Sequence, residues 1–167
     1  MRTQGGISES EAVRNNCYSL LHQLLGDEKN VSKLRFVKRE DAELKELMKK
    51  VSASAGAAQE RIDGFAAADH ALMLNDLRLP PGEMKTRDAI SSTKEKTLLL
   101  ESGGKFELEL LLSQSEALGY ASHLARVAGE NDKAQERAQY LAGLSVEMKN
   151  LQDEVESRLA VKMPVKP

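Results

Sequence analysis

The sequence predicts an all-α protein: an up-down four-helix bundle with one very long helix and an extra short one. Three observations carry this. Apolar residues recur at spacings of three and four along most of the chain, and no stretch sustains a period-two alternation of β-branched residues. Ala, Leu, Glu and Lys, all strong helix formers, dominate. The 4 prolines act as punctuation, with Pro80-Pro81 in mid-chain and Pro164 and Pro167 in a tail that cannot be helical.

Ser8-Glu-Ser-Glu11 has the form of a capping box, so the first helix starts there. Val13, Cys17, Leu20, Leu21, Leu24 and Leu25 make its apolar face, and Gly26-Asp27 is the expected break. Cys17 lies on that face and reads as a small buried hydrophobe, because no His or basic cluster stands near it to lower its pKa.

The strongest periodicity follows. Leu34, Val37, Asp41, Leu44, Met48, Val51, Ala55, Ala58, Ile62 and Phe65 alternate threes and fours without a slip, which predicts one long helix over about 30–75. Ala53 to Ala58, with Gly56 and Gly64, either let another helix approach closely or mark a bend. Asp41 is the one charged member of the seam: it must be paired, hydrated at a bundle end, or functional. Before it, Lys29, Lys33, Arg35, Lys38 and Arg39 form a basic patch at the start of a helix, where cations are disfavoured. That patch suits a phosphate or an acidic partner, although Glu40, Asp41, Glu43 and Glu46 follow at once and a solvated face is the plainer reading.

Leu77-Arg-Leu-Pro-Pro-Gly82 is the main loop. A third helix is expected from about Thr86 to Glu101, with Ala89, Ile90, Thr93, Thr97 and Leu100 on a weakly apolar face, ended by Ser102-Gly-Gly104. The fourth, over about 105–129, carries Phe106, Leu110, Ser113, Ala117, Tyr120, Leu124 and Val127, with Tyr120 in the core and its hydroxyl reaching a partner at the rim. A turn at Gly129-Glu-Asn-Asp132 leads to the fifth helix, with Leu141, Leu144, Met148, Leu151 and Val155. The expected organisation is a flexible 1–7, one helical-bundle domain over 8–161, and a flexible tail over 162–167.

Lys and Arg total 24 against 26 Asp and Glu, a net charge of −2 in 167 residues. Such balance gives no global field for nucleic acid or anionic lipid, and of the 6 Tyr and Phe only Phe36 stands within the basic patch, short of the interleaving that base stacking requires. Apolar stretches such as Leu98 to Leu100 and Leu110 to Leu112 are far short of the roughly 20 residues of a membrane span. Met1 to Gly6 has no apolar core after its charge and does not read as a signal peptide. A single Cys forbids an internal disulfide. No Cys-x-x-Cys, Gly-x-Ser-x-Gly or Gly-rich phosphate loop occurs.

Helical bundles often hold metals, and the di-iron pattern sets Glu-x-x-His pairs on facing helices. That pattern is absent: His22, His70 and His123 have no acid three or four residues away. Glu109, Glu116, His123 and Glu130 recur every seven residues along one line of the fourth helix. Two helical turns, about 10 Å, separate neighbours, too far for a pair to share one ion without help from another helix. The metal candidates are therefore Asp41, Glu109, Glu116 and His123 acting together, against a salt-bridged or solvated line. The interaction candidates are Lys33, Arg35, Lys38 and Arg39.

Leu79-Pro80-Pro81, a polar helix, Glu101-Ser-Gly-Gly-Lys-Phe-Glu107, a long helix, an Asn131-Asp-Lys turn and a closing helix together resemble a family of bacterial exported, ferritin-like four-helix proteins of unknown function. The resemblance spans about 79–160, with a weaker echo in 31–75. In that family's pattern an Asp follows the Phe and a His stands about twelve residues after it; here Glu107 and Leu118 occupy those places, so a ligand role for the His does not carry over. The resemblance implies a ferritin-like fold and an exported or periplasmic setting, and no activity. The resulting expectation is a non-enzymatic bundle acting through its surface on a protein partner or on itself as a homodimer, without a cofactor. The alternative is a ferritin-like metal-binding protein with a non-standard site.

Overall fold

The computed structural model describes residues 6–34, 41–101 and 103–163, and among these the regular structure is entirely helical. Five α-helices and one 3-10 turn account for it: α1 (Glu9–Glu28), the turn Val31–Lys33, α2 (Ala42–Ala68), α3 (Pro81–Leu100), α4 (Gly103–Glu130) and α5 (Gln135–Lys162). Of these, α1, α2, α4 and α5 share the core: α4 packs on both α1 and α5, α1 on α2, and α5 on α2. The substantial packing of α3 is onto α4 alone.

Ser8 caps α1 as its sequence announces, with the Glu11 N–H donating to Ser8 Oγ at 3.2 Å and the Ser8 N–H to Glu11 Oε2 at 3.0 Å. Its buried face is rotated from the expected stripe: Tyr18, Leu21 and Leu25 are sealed together with Arg14, Asn15 and Ser19, while Val13, Cys17, Leu20 and Leu24 are half-buried. The reason is the connector after α2, which has no helical bonds for its own carbonyls. Arg14 Nη2 and Asn15 Nδ2 donate to Ala71 O, Ser19 Oγ donates to Met73 O, and Asn16 Nδ2 donates to Asp76 O.

The long second helix is shorter than its seam suggests. Asp41 is its N-cap, accepting the Leu44 N–H at 2.9 Å, and α2 ends at Ala68 rather than near 75. A carboxylate that takes a free N–H terminates the helix instead of riding within it. Leu34 follows the 3-10 turn and Val37 lies outside the described residues. From Leu44 onward the seam holds, with Leu44, Met48, Val51, Ala55, Ala58, Ile62 and Phe65 all buried. The tight approach between α1 and α2 falls at Gly26, where an added Cβ would stand 2.8 Å from Gln59 Nε2; at Gly56 the nearest atom, Lys29 Cβ, is at an ordinary 3.8 Å.

Pro81 starts α3 five residues before the expected Thr86, since a proline's fixed φ and missing N–H suit the first helical position. No residue of α3 is buried. Gly103, with φ +65°, makes the corner into α4. Because α4 is packed on two sides its buried stripe is broad, adding Leu111, Leu118, Ala121, Ala125 and Ala128 to the expected Phe106, Leu110 and Leu124. Ser113, Ala117 and Val127 are half-buried and Tyr120 is 39% exposed, so Tyr120 is not a core residue. All five apolar residues expected in α5 are buried.

Candidate functional site

The sequence-derived metal set does not converge. Asp41 Oδ2 accepts from Arg158 Nη2 at 2.6 Å, Glu116 pairs with Lys94 of α3, and His123 is exposed on α4. Glu109 is half-buried. Among the described residues no three His, Cys, Asp or Glu side chains are arranged to hold an ion. In the basic patch, Lys33 is exposed and donates to Asn30 Oδ1 at 3.2 Å; Arg35, Lys38 and Arg39 lie outside the described residues. Burial pushes the half-buried Cys17 thiol up, away from thiolate chemistry. No helix among the described residues is long and apolar enough to cross a membrane.

Asp41 belongs instead to an ion cluster at one end of the bundle. Arg158 of α5 reaches Glu107 Oε1 on α4, Asp41 on α2 and Glu43 Oε2, and Lys162 stands 3.3 Å from Glu107 Oε2. Glu107, only 4% exposed, is fully partnered there. The Leu44 N–H holds the Asp41 carboxyl below its usual range; burial opposes this, and the Arg158 guanidinium adds to the lowering. The wide groove beside this cluster, about 1010 Å³ between α2 and α5, is lined by charges paired with one another, such as Lys50 with Glu154 and Lys49 with Glu46.

A second cleft, of about 670 Å³, lies between α3, the C-terminal end of α1 and the middle of α4. It continues toward Leu77 and Leu79 as a narrower pocket of about 220 Å³ that shares Leu24, Asp27, Arg87, Ser91 and Tyr120 as walls. Its polar groups are not all satisfied. Glu28 Oε2 and Gln114 Oε1 are sealed from solvent without a protein hydrogen-bond partner, and both residues line the cleft. Gln114 is 3% exposed. The other such oxygen among the described residues, Asp76 Oδ2, belongs to a carboxylate already paired with Arg78 through Oδ1. Leaving a buried acceptor unpaired costs about 1–3 kcal/mol, so two beside one cleft require a reason.

Burial pushes the Glu28 carboxyl up to about 7; a hydrogen bond from Gln114 opposes the rise, neighbouring Asp27 adds to it and the Lys94 charge opposes it. A carboxylate accepts, so the Gln114 amide N–H faces Glu28 and its oxygen is left over. The Asp27 carboxyl is also raised, first by burial and then by Glu95 across on α3.

Two side-chain contacts tie α3 over the cleft. Arg87 Nη1 donates to the Tyr120 hydroxyl at 3.4 Å with its guanidinium 6.0 Å from the ring centroid, and Lys94 Nζ bonds Glu116 Oε2. Tyr120 thus keeps the rim partner expected of it, but as a wall of the cleft. Exposed pairs of this kind are worth about 0–1 kcal/mol each, so α3 is a weakly held cover.

The sequence carried a signal for both orphaned residues. Glu28 continues the buried series Leu21, Leu25 by a step of three, and Gln114 falls between Leu110 and Leu118 at steps of four. The apolar period of α4 runs through Ser113, one residue away, and so passes Gln114 by. Comparison of the chain with protein-family models, curated proteins and solved structures finds no match.

Proposed function

We propose that this is a non-enzymatic binding protein of helical-bundle form, whose working site is the cleft beneath α3 and whose ligand is a small molecule with an apolar body. The observation that carries the reading is the pair of unpartnered acceptors, Glu28 Oε2 and Gln114 Oε1, beside a cleft of ligand size under a helix with no fully buried residue. A mobile cover admits a ligand, and satisfying both oxygens offsets their burial. The resemblance to exported ferritin-like bundles adds an extracytoplasmic setting to this proposal. Native mass spectrometry of protein purified without chelator tests it: a retained small-molecule adduct that Gln114→Leu abolishes supports the reading, and an adduct insensitive to cleft substitutions overturns it.

A second reading, self-association, is favoured by the C-terminal end of α3, where Leu99 and Leu100 are 58% and 85% exposed. Sedimentation of the wild type against Leu99→Glu with Leu100→Glu tests it. A dimer that the charges do not dissociate would rule that face out.

A further inference from the structure

We infer that the cleft beneath α3 takes an organic cation, an ammonium group on an apolar body, with the ammonium donating to Glu28 Oε2 and Gln114 Oε1. This rests on the cleft being a binding site, and adds the chemistry of its occupant. Both leftover atoms are acceptors, so whatever satisfies them must bring donors. An ammonium has three and carries the charge that a buried carboxylate needs.

The surrounding charges point the same way. From α1, Asp27 faces the site; from α3 come Glu95, Lys94 and Arg87; from α4 comes Glu116; and α2 contributes only the Ser52 hydroxyl, near the Glu28 carbonyl. Both cations are engaged elsewhere, Lys94 by Glu116 and Arg87 by Glu83 and Tyr120. Asp27, Glu28 and Glu95 are left in excess, and the mutual repulsion of Asp27 and Glu95 disfavours an anion. The body of the ligand would meet Leu24, Val31, Leu34, Leu98, Leu110 and Ala117.

Three probes that share one body separate charge from shape: phenylbutylamine, phenylbutanol and phenylbutyrate, titrated calorimetrically into the full chain and into Glu28→Gln at pH 8. The amine should bind at least tenfold tighter than the alcohol, with the butyrate weakest. Glu28→Gln should erase the preference for the amine over the alcohol. In the wild type the amine should weaken as pH falls from 8 to 5.5, where Glu28 takes up a proton and the probe keeps its own. If alcohol and amine bind equally, or if Glu28→Gln leaves the amine preference intact, the cation is overturned while the binding site stands. If none of the three binds, the site reading falls with it.

Discussion

The Tyr18 hydroxyl donates a 2.8 Å hydrogen bond to Asp132 Oδ2, joining residues 114 positions apart where the α4–α5 turn meets α1. Arg137 holds the same carboxylate with both Nε and Nη2, at 2.7 and 2.8 Å, and reaches Asp69 Oδ2 beyond the end of α2 at 2.8 Å. One buried acid thus closes the end of the bundle. Burial alone would raise the Asp132 carboxyl, but Arg137, the Ala134 N–H and Tyr18 together hold it below its ordinary value. Its contribution is present above the unfolded carboxyl range and lost as pH falls through the lowered native value. Tyr18→Phe should cost about 1–2 kcal/mol, and Asp132→Asn about 3 kcal/mol because Arg137 loses its paired charge. Urea melts at pH 7 and pH 3 check both; an Asp132→Asn deficit that does not shrink at pH 3 would contradict the assignment.

Glu28 has the opposite sign. With its native carboxyl raised to about 7 from an ordinary 4.5, the folded state keeps a proton that the unfolded chain releases, so stability falls as pH rises through that window and stays reduced above it. Glu28→Gln keeps the shape and removes the titration. The variant should equal the wild type near pH 4 and exceed it by on the order of 2 kcal/mol at pH 8. Denaturation midpoints that stay parallel across this range would refute a raised carboxyl.

Because no residue of α3 is fully buried, its amides should exchange with solvent far faster than those of α4 and α5, at a free energy well below global unfolding. Arg87→Ala with Lys94→Ala should accelerate α3 exchange and change global stability by less than about 0.5 kcal/mol. Equal protection of α3 and α4 would show that α3 is part of the core.

Arg158 answers three carboxylates from α2 and α4. Arg158→Met leaves Glu107, 4% exposed, with Lys162 as its remaining cation, and should cost about 3 kcal/mol. Adding Glu107→Gln should recover part of the loss, since it removes the stranded charge. Purely additive losses in that double-mutant cycle would show the pair to be uncoupled.

For the metal candidates the expectation is silence. Glu116→Ala with His123→Ala should shift the melting temperature equally with and without added divalent metal, because these side chains belong to no ligand cluster among the described residues. A shift confined to the metal-loaded protein would revive a metal site.

The sequence by itself determined the helical class, the capping box at Ser8, the buried registers of α2 and α5 and the break at Pro80-Pro81. Each is written in local spacing or in backbone chemistry that neighbours cannot override: a proline has no N–H, and a seam of threes and fours has one face. Tertiary structure decided what such spacing leaves open. Asp41 fits the α2 seam as well as it fits a cap, and only the chain's path made it the cap that also meets Arg158. Helix α4 meets two neighbours, so its buried stripe is wider than one periodic line and takes in Gln114. Glu28 is a surface-like residue by type that packing left half-buried with its Oε2 sealed. Charges that pair or fail to pair across helices depend on where those helices stop, and that is settled by packing rather than by period.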